Sequence, residues 1–282
     1  MDMRDAAIKA DLLEIAAMRE LVAAASAEII QGSGLEWHDV AGAAIVTAPR
    51  IPDTWFNRVM GLGLVRAASE ADLEEIVAAC RAATDKAYWI HRHPLAEPAV
   101  LDQWLVKRGF SLAKRRSWAK VARGREAPPQ FATPMLIRRA EPRDFSAAAH
   151  VATSAFGMPP AMTSWMAATF ARPNWHVVVA EERGNIVGTG ALFVSDRVGW
   201  LGIGGVLQEF RGRNAHRSLM ALRIRLALDL GCELIVTETG EPIGEEPNPS
   251  LANMVRCGFR TVASRLNYAA PLTVDAAHIR ID

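Results

Sequence analysis

The sequence predicts a mixed α/β (α+β) protein of two tandem domains, each a mixed, mainly antiparallel twisted sheet flanked by helices. Three observations carry this reading. The second half runs β-β-β-α-β-α-β by its apolar periodicities, and the first half repeats the closing part of that order. A short match ties the halves together, pairing Val106-Lys-Arg-Gly-Phe110 with Val255-Arg-Cys-Gly-Phe259. At both places a helix ends at Gly and a strand begins at Phe. Glycine suits that point because the residue after a helix often turns left-handed, which costs other residues energy.

Taken in order, the first half opens with a long amphipathic helix over about Asp5 to Ile30. Strands follow at Ala43 to Thr47 and Arg58 to Leu64, then a helix over Ser69 to Ala83, where Ser69 and Asp72 supply an N-cap and an acidic first turn. A strand at Ala87 to His91, a helix at Pro98 to Arg108 and a strand at Phe110 to Val121 complete the copy. The stretch Gly124 to Pro134 holds three prolines, which block helix and remove ladder donors. The expected division is a diverged domain over 1–125, a linker over 126–134, a second domain over 135–270 and a tail over 271–282. In the second half, helices are expected within Pro142 to Phe156 and Ala161 to Phe170. Strands Val177 to Glu181 and Ile186 to Val194 flank the hairpin turn Glu182-Arg-Gly-Asn185, and a third runs from Trp200 to Leu207. The helix Ala215 to Leu230 carries Leu219, Leu222, Leu226 and Leu230 at helical spacing and closes at Gly231. Strand Glu233 to Thr239, helix Pro249 to Cys257 and strand Phe259 to Tyr268 end the domain.

Composition narrows the function classes. Half of the 282 residues are apolar, 22% are charged, and 32 Lys and Arg face 31 Asp and Glu. This balance offers no electrostatic footprint for nucleic acid or an anionic membrane, so neither is expected as a partner. The longest weakly charged stretch, Val198 to Gln208, falls well short of the ~20 apolar residues that span a bilayer. The N-terminus mixes charges into an amphipathic pattern without a signal-peptide core, and a cytoplasmic protein is expected. Cys80, Cys232 and Cys257 have no metal-ligand spacing and read as reduced core residues. His91 and His93 lack a partner cluster and read as a polar strand end, so no metal site is expected.

The sharpest feature is Gly202-Ile-Gly-Gly-Val-Leu-Gln-Glu-Phe-Arg-Gly-Arg-Asn-Ala-His216, where an apolar, glycine-bearing strand runs through a polar turn into a helix. Successive N–H groups of such a turn, with the positive end of the following helix, suit a pyrophosphate. A plain structural turn is the alternative on residues alone. No Gly-Lys-Ser/Thr follows, which excludes a Walker A loop, and the preceding strands argue against a dinucleotide fingerprint.

This segment resembles the GNAT acetyltransferase superfamily, whose Q/R-x-x-G-x-G/A signature binds the pyrophosphate of coenzyme A at this turn. Arg211, Asn214 and His216 fall on the signature positions, with Asn tolerating the left-handed conformation and His a larger departure. Asn248-Pro-Ser-Leu-Ala-Asn-Met-Val-Arg-Cys-Gly-Phe259 is similar to the family's fourth helix and following strand. The resemblance implies acetyl-CoA as co-substrate, held by Gly205, Val206, Leu207, Arg211, Gly212, Arg213, Asn214, Ala215, His216 and Asn253. It also implies a bulge that splays the third strand, at Gly204 and Gly205, unless those glycines only relieve crowding under a helix.

Transfer to an amine needs a base and a tolerable leaving thiolate. The family's usual helix-four tyrosine is Met254 here, which leaves Tyr268 as the candidate acid. Glu238 and Glu241 are the candidate bases, or else solvated turn acids, and His216 can also titrate in a useful range. Phe156, Trp165 and Trp175 lie where the family forms its acceptor pocket, or else pack as core. The first half lacks the signature and is expected to bind no coenzyme. The implied activity is N-acetyl transfer from acetyl-CoA to a primary amine, with a small molecule as acceptor and a homodimer compatible with it. The alternatives are a catalytically impaired CoA-binding regulatory module and a transferase acting on a protein N-terminus or lysine.

Overall fold

A computed structural model describes residues 2–51, 53–244 and 246–271. The chain begins with α1 (Met3–Ala23) and α2 (Ala27–Ser33), so the expected single helix breaks near Ala24. Then come β1 (Glu36–Val40), β2 (Ala43–Thr47), β3 (Arg58–Met60), α3 (Glu70–Ala83), β4 (Trp89–Arg92), α4 (Leu101–Lys107) and β5 (Ser111–Arg123). Next are β6 (Leu136–Arg139), α5 (Phe145–Ala155), α6 (Met162–Phe170), β7 (Trp175–Glu182), β8 (Asn185–Ser195) and β9 (Val198–Val206). The chain ends in α7 (Ala215–Asp229), β10 (Leu234–Gly240), α8 (Pro249–Arg256) and β11 (Arg260–Ala269). Strands β1 and β6 are additions to the expected order. Arg183 and Gly184 both take positive φ, the geometry that a tight β7–β8 hairpin requires.

Two compact units form, and neither follows the linear division expected at 126–134. The first joins Met1–Ile29 to Ser117–Arg265, and the second joins Ile30–Arg116 to the described part of Leu266–Asp282. The first unit therefore takes α1 and the end of β5, which were expected to belong to the opening domain. In it β6, β7, β8 and β9 form an antiparallel run, β9 pairs parallel with β10, and β10 pairs antiparallel with β5 from Ile235↔Arg123 to Gly240↔Trp118. In the second unit the order is β1-β2-β3-β4-β11, with β3 and β4 parallel and Leu266↔Arg92 through Ala269↔Trp89 antiparallel. Each unit thus completes its sheet with a strand encoded in the other half of the chain. Residues 126–134 form no helix or strand and lie within the first unit's span, so they are not a linker between the units.

The first unit's core is apolar on the α7 and α8 face of its sheet, where Val178, Leu192, Leu201, Leu219, Ile224, Ile235 and Phe259 pack together. On the opposite face α1 lays an alanine-rich stripe against β9 and β10 and buries Asp11 and Glu14 with it. These two carboxylates explain why α1 belongs here. Lys120 Nζ on β5 lies 3.0 Å from Asp11, 2.6 Å from Glu14 and 3.1 Å from Glu238 on β10. Arg265 Nη1 on β11 lies 3.0 Å from Asp11 and 2.5 Å from Glu14. Burial works against the Lys120 ammonium, yet Glu14, Glu238 and Asp11 outweigh it and hold the group above its ordinary value. The second unit has its own core of Ile45, Val59, Leu73, Ile76, Ile90, Leu105, Phe110 and Tyr268. Among the described residues no helix is long and apolar enough to cross a membrane.

Removing one member of a buried charge set leaves the others without compensation, which costs about 3–5 kcal/mol. Lys120→Met is therefore expected to lower the unfolding free energy by that much, read as a fall in the urea midpoint, whereas Val255→Ala at an exposed α8 position leaves it nearly unchanged. Equal midpoints for Lys120→Met and the parent would show that the cluster is not what holds α1, β5 and β11 together.

Candidate functional site

The site begins where β9 and β10 part. Their parallel pairing covers only Leu234↔Val198, Ile235↔Gly199 and Val236↔Trp200, after which β10 continues against β5 and β9 against β8. Thr237 Oγ1 donates to Leu201 O at 2.6 Å, just beyond the last pair. Past that tie, β9 is registered only against β8, leaving its other edge open through Val206. A bulge sits on the same stretch, because the β8–β9 register moves from Thr189↔Gly205 to Ala191↔Gly202 and sets Gly190 opposite both Ile203 and Gly204. Ile203 carries a φ of +52°, a costly conformation for a β-branched residue. The bulge therefore falls one residue earlier than expected, and Gly205 stays paired. Gly205 answers a different need, since a Cβ there would lie 2.6 Å from Ala155 Cβ on α5. Bulge and crowding each account for part of the glycine pattern.

Beyond β9 a short 3-10 turn at Gln208–Phe210 leads to Arg211, whose Nε donates to Val206 O at 3.0 Å. Gly212 and Asn214 take φ of +78° and +62°, so the signature's Asn does adopt the left-handed conformation. No side chain caps α7, and its first backbone bond runs from Ser218 N to Asn214 O. The N–H groups of Ala215, His216 and Arg217 consequently point out of a helix end carrying positive dipole, which is the arrangement that binds an anion. Residues 131–133 brace this turn, because Asn214 Nδ2 donates to Ala132 O, Thr133 Oγ1 to Arg213 O and Ser218 Oγ to Phe131 O.

Two expected phosphate partners are otherwise occupied. Arg213 is paired with Glu182 on β7, with Nη1 at 3.1 Å from Oε2, and brings little free charge to the turn. His216 is half-buried with Nδ1 3.4 Å from Asn253 Nδ2, and burial, with Arg223 nearby, pushes its imidazole down to about 4. It is neutral near pH 7 and does not titrate in a useful range for catalysis. Asn253 faces inward onto His216 from α8 instead of sitting on the helix surface.

The expected catalytic residues separate. Tyr268 lies in the second unit's core, its hydroxyl bonded to Asp102, because β11 runs past Arg265 to pair with β4. Met254 is buried at the position of the family's tyrosine. Glu238 projects from β10 into the ion cluster, where Lys120 Nζ at 3.1 Å and Trp200 Nε1 at 2.9 Å both donate to Oε2. Burial raises the Glu238 carboxyl above its usual range, partly countered by Lys120. Glu241 accepts from Ser117 Oγ and from Ser264 Oγ at 2.9 Å.

The aromatic residues also separate. Trp165 is buried and donates to Leu21 O at 2.7 Å, tying α6 to α1. Trp175 is buried against Phe193 and Trp200 with ring centroids at 5.4 and 6.1 Å. Both are core. Phe156 remains half exposed at the end of α5, its ring 3.9 Å from the point where a Gly205 Cβ would stand. Trp200, Lys120 and Arg223 were not anticipated. Arg223 alone carried a signal, being a charge four residues after Leu219 on the apolar stripe of α7. Among the described residues no group of three or more His, Cys, Asp or Glu side chains is placed to hold a metal ion.

The folded His216 titrates near 4 against an ordinary value of 6.5, so between those values the unfolded chain binds a proton that the folded chain does not. Stability attributable to this group is present above about pH 6.5 and is lost as pH falls towards 4. His216→Gln is expected to flatten the pH dependence of the urea midpoint across that window. An unchanged slope would place the imidazole in solvent.

Comparison with known proteins agrees with this geometry. Residues 143–259 match the Acetyltransferase (GNAT) family. Similar solved structures include a GCN5-related N-acetyltransferase from Kribbella flavida, with a TM-score of 0.58 at 17% identity over 86% of this chain and 92% of that one. Another, from Sphaerobacter thermophilus, has a TM-score of 0.59 at 17% identity over 81% of this chain and 80% of the other. A tandem GNAT protein from the clavulanic acid biosynthesis pathway has a TM-score of 0.59 at 14% identity over 81% and 78%. No curated protein matches this chain. With the antiparallel run, the parting of β9 from β10 and the uncapped turn already in place, residues 143–259 are a domain of the acetyltransferase (GNAT) family, in a chain whose fold is similar to GNAT structures that include a tandem GNAT protein.

Proposed function

We propose that the first unit binds acetyl-CoA, with its pyrophosphate at the N-terminal turn of α7, and transfers the acetyl group to the primary amine of a small-molecule acceptor. One observation carries this reading: an uncapped helix end follows, through one short turn, a strand that is bulged against β8 on one side and unpaired past Trp200 on the other. A thioester needs both, an anion site for the phosphates and backbone donors for the carbonyl. The second unit offers a contrast. There α3 is closed by its own capping box, with Ser69 N donating to Asp72 Oδ2 at 2.7 Å and Arg66 bidentate on the same carboxylate at 2.8 and 2.9 Å. That helix end already holds an anion, which supports coenzyme binding by the first unit alone.

For the chemistry, the acceptor amine must lose a proton, and Glu238 is our candidate base. Its raised affinity for a proton suits that task, and both donors converge on Oε2, leaving Oε1 clear of them. Glu241, held by two serine hydroxyls, is the second candidate. Phe156 beside Gly205 supplies an apolar surface for an acceptor body. A CoA-binding regulatory module is the competing reading, favoured by Met254 in the core and by Glu238 within an ion cluster.

Acetyl-CoA at about a hundred times its Kd is expected to stabilise the protein by about 2.7 kcal/mol, read as a rise in melting temperature. Arg211→Ala should weaken that rise, and Asn214→Asp, which sets a carboxylate in the anion turn, should abolish it. An unshifted parent would end the acetyl-CoA reading. In a panel of primary amines scored by release of free CoA thiol, Glu238→Gln is expected to cut turnover by about 10²–10⁴. Stabilisation by acetyl-CoA with no thiol release from any amine would favour the regulatory module.

A further inference from the structure

We propose that Arg223 is a positioning residue for the thioester, its guanidinium clasping the β8–β9 bulge from below so that the donors of β9 stay turned towards the gap beside β10. This inference rests on the acetyl-CoA reading above. Arg223 enters from α7 and is 2% exposed. One nitrogen, Nη1, donates to Ala191 O and to Gly202 O, each at 3.1 Å. Those two residues face each other across the strands at the bulge boundary. A bulge interrupts the ladder, and a buried carbonyl without a donor is costly. The guanidinium meets that need for both strands at once. Nε donates back to Leu219 O at 3.4 Å and fixes the side chain along its own helix.

The neighbouring glycines are shaped to this cation. A Cβ on Gly190 would stand 2.7 Å from Arg223 Cζ, and a Cβ on Gly204 would stand 3.0 Å from Nη2. Gly190 is the single residue opposite the bulged pair, and Gly204 is one member of that pair. Glycine at both positions makes the room that the guanidinium occupies. Burial lowers the Arg223 pKa to about 10, so the group remains a cation near pH 7. Among the described residues its hydrogen bonds run to backbone carbonyls and not to a carboxylate. A buried charge of this kind is expensive as mere packing, because an apolar side chain of similar size stabilises as well or better. Its use is conformational, since it holds Ile203 in a strained backbone region that an unbulged strand would not impose.

The test compares the parent with Arg223→Met, Arg223→Lys and Gly190→Ala, the last of which displaces the guanidinium without altering it. Amide hydrogen exchange is measured over 198–206, and affinities are measured for acetyl-CoA and for phosphoadenosine diphosphate, which carries the pyrophosphate but no pantetheine. Arg223→Met and Gly190→Ala are expected to exchange faster over 198–206 while α7 keeps its protection. They should also lose about tenfold in acetyl-CoA affinity, the scale of one lost hydrogen bond, with the phosphate fragment bound as before. Arg223→Lys should recover part of both effects. Unchanged exchange over 198–206 overturns the clasp, and so does an equal loss of both ligands. If the parent binds neither ligand, the acetyl-CoA reading fails, while the exchange arm still decides whether Arg223 holds the bulge.

Discussion

Five buried charges hold the first unit together. Asp11 and Glu14 come from α1, Lys120 from β5, Glu238 from β10 and Arg265 from β11, so segments far apart in the chain meet at one point. Ions in an apolar interior are tolerable only with each partner in place. That requirement favours β5 beside β10 and α1 over β9, the arrangement in which Lys120 and Arg265 meet their carboxylates. The alanines of α1 let its backbone approach closely, and its two carboxylates then have no water to turn to.

The candidate site inherits its geometry from that arrangement. With β5 filling one edge of β10, the two strands separate after Val236 and Trp200, and β9 keeps an open edge beside the start of α7. The cluster also reaches the site itself. Glu238 is a member of both, and Trp200 bridges them by donating to Glu238 while its indole covers Gly202. Charge compensation and the proposed base therefore share a residue, which ties any change at Glu238 to the stability of the unit.

The two helix ends differ in whether the first turn carries its own acid. In α3 the third residue is Asp72, whose carboxylate returns to the helix start and meets Arg66. In α7 the corresponding N–H groups have no such acid, and Asn214 turns its amide towards Ala132. A single carboxylate in the first turn separates a closed end from an open one, by the same attraction that draws phosphate to helix N-termini.

Much of this was legible in the residues. The Gly202 to His216 junction predicted its strand, turn and helix, because glycine freedom and helical spacing are local properties. Asn214 could be read as left-handed for the same reason. The strand exchange could not, since the side-chain alternation of β5 and β11 marks a strand without naming its neighbour. That exchange put Tyr268 into the second unit's core, and Trp165 and Trp175 became core because burial depends on what packs over them. Arg213 and His216 differ from expectation through Glu182 and Asn253, partners distant in sequence. The sequence alone determined most of the elements and the left-handed turn before α7, which follow from interactions between near neighbours. Only the tertiary structure decided the strand partners, the buried charge set and the clasp of Arg223, because each depends on desolvating groups that meet only when the chain has folded.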